Sequence, residues 1–181
     1  MEVFSSRRER NMWLWALAAF AAILASMSYS PRLAQMLREQ GVLEATFIAG
    51  VSLIAVFVLW DAVNTRLGRR DLAILLGIAA VYLITFSRIG LPEERTHLIE
   101  YGVVAVLVYR ALLERKENGR RVWSPALSAV LAVAILGGID EAVQLLHPER
   151  VFDWRDVGFN CLAGILAVTA NKAILLTKKH S

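Results

Sequence analysis

Nineteen consecutive residues, Met12 to Ser30, carry no charged side chain. A helical run of that length crosses the ~30 Å hydrocarbon layer of a bilayer, for which about 20 residues are needed. Inside hydrocarbon each backbone N–H and C=O must find its partner within the protein, so blocks of this kind are built as helices. Comparable apolar runs cover Val42 to Trp60, Leu72 to Leu91, His97 to Leu113, Pro125 to Leu146 and Asp153 to about Leu176. The fold class that follows is all-α, a polytopic integral membrane bundle of six transmembrane helices. A 57% hydrophobic share, against roughly 45–50% in soluble domains, points the same way. The basic start before Met12 also suits a secretory signal. The length of the run, with no small-residue cleavage site after it, favours a retained first span.

Local signals set the boundaries. Pro31 to Gly41 has Leu33, Met36 and Leu37 at i, i+3 and i+4 among charged residues, a pattern for a short helix lying in the interface. Gly90 and Pro92 stop the third span, and Leu91 to Thr96 reads as a tight polar turn. Ser124-Pro125 is an N-cap followed by proline at the first helical position. Asp153 is a second N-cap, with Asp156 three residues on as a capping-box variant. Gly137-Gly138 allows a kink or a close helix approach. The tryptophans at 13, 15, 60, 123 and 154 suit interfacial anchors.

Charge orients the bundle. With Arg110 and Lys172 set aside as lying within spans, twelve Lys/Arg gather on the face that holds both termini, and six on the other: Arg32, Arg38, Arg88, Arg95, Arg150 and Arg155. The positive-inside rule then makes both termini cytoplasmic, in a multi-pass protein of a bacterial cell membrane. The net charge of +4 comes from these flanks and forms no basic face, so nucleic acid is not an expected partner. The single cysteine, Cys161, excludes an intramolecular disulfide.

Polar residues collect at the outer ends of the third to sixth spans. His97, Glu100 and Tyr101 share one helical stripe; Gln144 is i+4 from Asp140 and i+3 from Glu141; Asn160 is i+4 from Asp156. Ionisable groups at membrane depth cost about 3 kcal/mol each at the centre and usually face the bundle interior or a wet cavity. The expectation is one shared recess on the extracytoplasmic side.

The stretches Glu94-Arg95-Thr96-His97-Leu98-Ile99-Glu100-Tyr101-Gly102, Asp140-Glu141-Ala142-Val143-Gln144 and Pro148 to Asn160 resemble the VanZ-like membrane proteins. That family's pattern is an acidic/basic pair before a histidine and tyrosine, then E-x-x-Q, then P-x-R-x-x-D-x-x-D and N-x-x-G. Here the last motif is one residue longer, ending at Gly164. The resemblance covers Leu72 to Leu176 and divides the chain into an N-terminal region of two transmembrane helices, residues 1–71, and a VanZ-like domain of four, residues 72–177. It implies a cell-envelope setting and a link to resistance against the glycopeptide teicoplanin, without supplying a reaction.

Four chemistries suit the cluster. Arg95, Arg150 and Arg155 can clamp a phosphate or carboxylate bidentately while neighbouring acids hold the guanidinium planes. The pocket around them would be shaped by His97, Glu100, Tyr101, Glu141, Gln144, Asp153, Asp156 and Asn160. This favours a non-enzymatic protein that binds an anionic envelope lipid or cell-wall component, with a membrane lipid, cell-wall precursor or glycopeptide as partner. The runner-up is an enzyme acting on a lipid-linked head group, with His97, Glu100 and Asp156 as catalytic candidates for proton transfer. A divalent metal also suits carboxylates with one histidine, although no H-E-x-x-H or comparable ligand spacing occurs, so no metal ligand or other cofactor is assigned. Last, the charges can neutralise one another and simply lock two hairpins together.

Overall fold

The computed structural model describes residues 3–26, 29–64, 69–88, 92–145 and 152–180. Within these, the description excludes the side chains at 30, 31, 53–55, 57–59, 61–64, 70, 71, 88, 92–95, 97 and 177–180. Among the described residues the secondary structure is all helix: α1 (Arg7–Ser26), α2 (Ser30–Glu39), α3 (Leu43–Asn64), α4 (Arg69–Arg88), α5 (Pro92–Glu117), α6 (Pro125–Gln144) and α7 (Trp154–His180). By length and apolar composition, α6 and the Trp154–Leu176 part of α7 are able to cross a membrane; Leu43–Ser52 and Leu72–Ser87 are shorter apolar segments.

The ends of these helices follow from particular residues. α1 starts five residues before the charge-free run because Ser6 is its N-cap, its Oγ accepting the Glu9 N–H at 3.0 Å. The short helix expected over Pro31 to Gly41 is α2. Gly41 ends it at φ +70°, with its N–H on the Arg38 carbonyl and the Val42 N–H on the Leu37 carbonyl. Gly119 ends α5 in the same way at φ +78°, the Gly119 and Arg120 amides donating back to Lys116 and Arg115. Both are left-handed C-caps that a residue with a Cβ adopts only under strain. Ser124 caps α6 as expected, its Oγ accepting from Leu127 N, with Pro125 in the first turn.

One expected turn is helix instead. Pro92 to Thr96 form the first turn and more of α5 rather than a tight turn. Proline lacks only an N–H that a first-turn residue does not use, so it can open a helix.

The chain packs as two compact units, Met1–Met27 with Thr96–Val168, and Ser28–Arg95 with Thr169–Ser181. In the second, Phe86 of α4 meets Phe47 of α3 edge-on at 5.6 Å and Tyr82 at 5.8 Å. Among the described side chains, most of the buried hydrophobic residues belong to the first unit, and α6 illustrates its logic. Pro125, Ala129, Val133, Gly137, Asp140, Glu141 and Gln144 are buried on one stripe of α6. Leu127, Leu131, Ile135 and Ile139, each four residues from the next, are exposed. Small and polar groups point inward and large aliphatic groups outward, the reverse of a water-soluble helix and the arrangement by which helices pack in lipid.

Small residues let these helices approach. Gly164 of α7 lies against Val133 of α6 and Ala105 of α5, where an added Cβ would sit 3.4 Å and 3.8 Å from their side chains. Of the Gly137-Gly138 pair only Gly137 makes a close approach. A Cβ there would lie 2.9 Å from Asn160 Nδ2 and 3.0 Å from Asn160 Cβ, whereas none would meet anything within 4 Å at Gly138.

Candidate functional site

At one end of the first unit, the N-terminal part of α5, the C-terminal end of α6 and the start of α7 bring polar groups together. Tyr101 and Asp140 are wholly buried, Glu141 and Asn160 are 1% exposed, and Gln144 is buried as well. The Tyr101 hydroxyl faces the Asp140 carboxylate, with Glu100 and Glu141 as the next charges out. Asn160 fills the notch over Gly137, one helical turn from Asp140. Its Oδ1 is buried with no hydrogen-bond donor among the described residues. A buried amide oxygen in that state costs about 1–3 kcal/mol, so it marks a position where a donor belongs.

Glu141 has a defined structural task. Its Oε1 accepts from Gln144 Nε2 at 3.0 Å, and its Oε2 accepts the backbone N–H of Asp153 at 3.0 Å. Asp153 caps α7 as expected, Oδ1 accepting the Arg155 N–H at 2.7 Å. The capping box is completed differently, however. The Asp153 amide, which such a box would send to Asp156, donates to Glu141 twelve residues upstream. A buried carboxylate on α6 thus fixes the entry of α7.

Ordered by burial, the polar groups form a graded column. Arg155 and Asp153 are exposed, Glu100 and Asp156 are half-buried, and Tyr101, Asp140, Glu141, Gln144 and Asn160 lie inside. Of the expected site residues, Glu100, Tyr101, Glu141, Gln144, Asp153, Arg155, Asp156 and Asn160 therefore belong to one end of one compact unit. Arg95 and His97 lie in the first turns of α5; their side chains, and all of Arg150, fall outside the described residues. Among the described residues no three His, Cys, Asp or Glu side chains are placed to hold a metal ion.

A second polar centre, at the other end of α5, was not among the expected sites. Glu9 is 0% exposed. It accepts from the Ser5 N–H at 2.6 Å, the Ser5 hydroxyl at 2.7 Å and the Trp13 indole at 3.3 Å. Arg115 Nε lies 2.9 Å from its Oε1, a charge contact rather than an aligned hydrogen bond. Ser6 donates to Glu114 at 2.9 Å, Arg8 lies 3.7 Å from the same carboxylate, and Arg115 Nη2 reaches the Val3 carbonyl at 2.6 Å. Burial raises the Glu9 pKa, but the Ser5 donors, Arg115 and Trp13 outweigh it and hold the carboxyl below its ordinary range. The signal for this clasp was present as S-x-x-E at Ser6–Glu9, with Ser5 and Trp13 each four residues from Glu9. Trp13 therefore has a partner within the protein, while Trp15, Trp60, Trp123 and Trp154 are all at least two-thirds exposed.

No family model, curated protein or solved structure matches the chain. The assignment of a role therefore rests on the residues and their geometry.

Proposed function

We propose that the chain is a multi-pass protein of the bacterial cell membrane, similar to the VanZ-like proteins. In this reading α1 and α3 to α7 span, α2 lies along the interface, and both termini are cytoplasmic. The extracytoplasmic end of the polar column binds the head group of an anionic envelope lipid or cell-wall component. The inward polar and outward aliphatic stripes of α6 support the membrane setting.

The observation that carries the binding role is the gradient of burial along the column. It grades from exposed Arg155, through half-buried Asp156 and Glu100, to the buried Asn160 oxygen that has no donor among the described residues. Carboxylates alone would repel an anion, so Arg155, with Arg95 and Arg150, takes the phosphate or carboxylate. The amide and acid oxygens beneath receive the hydroxyl or amine hydrogens of the same head group. Native mass spectrometry of protein extracted from its own membrane tests this. Retained anionic lipid should fall several-fold in Arg155→Gln and Asp156→Asn while melting is unchanged. An identical lipid complement in all three proteins would refute it.

The locking role has one specific observation in its favour, the double use of Glu141 by Gln144 and the Asp153 amide. The two roles divide by position: Glu141 and Gln144 hold the helices, and the more exposed groups meet the ligand. A change in teicoplanin sensitivity for His97→Ala or Asp156→Ala at normal expression would speak against a lock alone.

A further inference from the structure

An apolar groove of about 280 Å³ opens on the surface of the first unit. Its walls include Trp13, Leu17 and Phe20 of α1, Val108 of α5, and Ala132 and Ile135 of α6. Leu17 and Ile135 are each more than 60% exposed, so the groove opens outward rather than into the core.

Helical spacing ties this groove to cations at one end only. On α1 the lining residues 13, 17 and 20 form a stripe whose next turn toward the N-terminus is Glu9 and Arg10. On α5 the stripe through Val108 reaches Arg115 after two turns. Glu9 and Arg115 are joined, and the Trp13 indole donates to Glu9, so the tryptophan stands where groove and charges meet. Arg10 is exposed and has no ion pair among the described residues. Arg7, Lys116 and Arg120 are exposed near the same helix ends. An apolar channel capped by cations and an indole is complementary to a molecule with an anionic head and a hydrocarbon tail. In the proposed orientation this end lies in the cytoplasmic leaflet, whose surface is itself anionic.

We propose that this groove is a binding site for one anionic phospholipid of the cytoplasmic leaflet, with an acyl chain along Leu17, Phe20, Val108 and Ile135 and the phosphate at Arg10 and Arg115. The site is separate from the head-group column, and it rests on the membrane placement proposed above.

The test uses the full chain in phosphatidylcholine vesicles, with Trp13 kept and the tryptophans at 15, 60, 123 and 154 changed to phenylalanine. A minority of the lipid carries bromine on one acyl chain, on either phosphatidylglycerol or phosphatidylcholine. Brominated phosphatidylglycerol should occupy the groove roughly fivefold more than brominated phosphatidylcholine, the effect of one arginine beside an anionic group. Arg10→Gln should bring the ratio close to one, and Ala132→Phe should weaken quenching by both lipids. If the tryptophan changes unfold the chain, the same ratio is read by mass spectrometry of lipid retained by the otherwise native protein, with and without Arg10→Gln. Equal quenching by the two lipids would overturn the site and leave the membrane placement standing. Trp13 unquenched by either lipid while Trp60, in a companion protein, is quenched would mean that another copy of the chain covers the groove, and would also overturn it. No quenching of any tryptophan would remove the site and the membrane placement together.

Discussion

Replacing Gly137 with alanine, beside the same change at Gly138, isolates the close approach of α6 and α7. Both substitutions exchange glycine for alanine within one helix, and each gains roughly 1 kcal/mol of helix propensity. They differ in what the new methyl group meets. At 137 it would lie 2.9 Å from Asn160 Nδ2 and 3.0 Å from Asn160 Cβ, and at 138 nothing lies within 4 Å. The amide can swing aside, but the Asn160 Cβ is attached to the α7 backbone, so the helix itself must give way. Overpacking of this sort costs about 1–3 kcal/mol. Because the propensity gain is common to both, the two variants should differ by that same amount. In a chain of this size each kcal/mol moves the melting temperature by roughly 2–4 °C. Gly137→Ala should therefore melt about 2–12 °C below Gly138→Ala in detergent. Asn160→Gly removes both contacting atoms, so Gly137→Ala should cost less in that background, giving a measurable coupling in a double-mutant cycle. Identical melting of the two alanine variants, or a coupling of zero, would refute this account of the contact.

Three further outcomes are expected. Glu141→Ala should destabilise the α6–α7 junction by about 1–3 kcal/mol, by removing the acceptor of the buried Gln144 side chain and of the Asp153 amide; hydrogen exchange at the Asp153 N–H should accelerate more than at the core amides of α5. Gly119→Ala should cost roughly 1–2 kcal/mol because φ +78° is a left-handed conformation, and a lowered melting temperature would show it. The pKa of Glu9 is held below its ordinary 4.5, so its stabilisation is complete above that value and is lost as pH falls through the lower, folded-state value. Melting temperature followed against pH should drop below about pH 4.5, and Glu9→Gln should flatten that part of the curve while lowering the plateau at neutral pH.

Helix type and several helix ends were legible because their causes are local. Ser124-Pro125, Asp153 before Trp154 and the glycine after Gln40 each act within one turn. The clustering of Tyr101, Asp140, Glu141, Gln144 and Asn160 was also legible, since polar side chains in apolar helices must turn toward one another. What spacing does not carry is the choice of partner. Nothing within a turn of Asp153 indicates that its amide would be taken by Glu141. The Glu9 clasp escaped for a different reason: a carboxylate among three arginines looks like part of a solvated basic flank, and only the approach of α5 buries it. Proline at 92 misled in a simpler way, since the same residue that stops one helix can begin the next.

The clasp between Ser5, Ser6, Glu9 and the far end of α5 has a practical consequence for dissecting the protein. The four helices that resemble a self-contained module in the sequence do not include all the carboxylates that their own arginines need. A fragment beginning at Leu72 would leave Arg115 facing an empty place where Glu9 had been, and the α5–α6 surface along Val108 and Ile135 would lose the helix that borders it. Such a fragment should accumulate poorly by itself and recover when a peptide spanning Val3 to Ser26 is supplied in trans, because the first helix of the chain is a structural subunit of its last half.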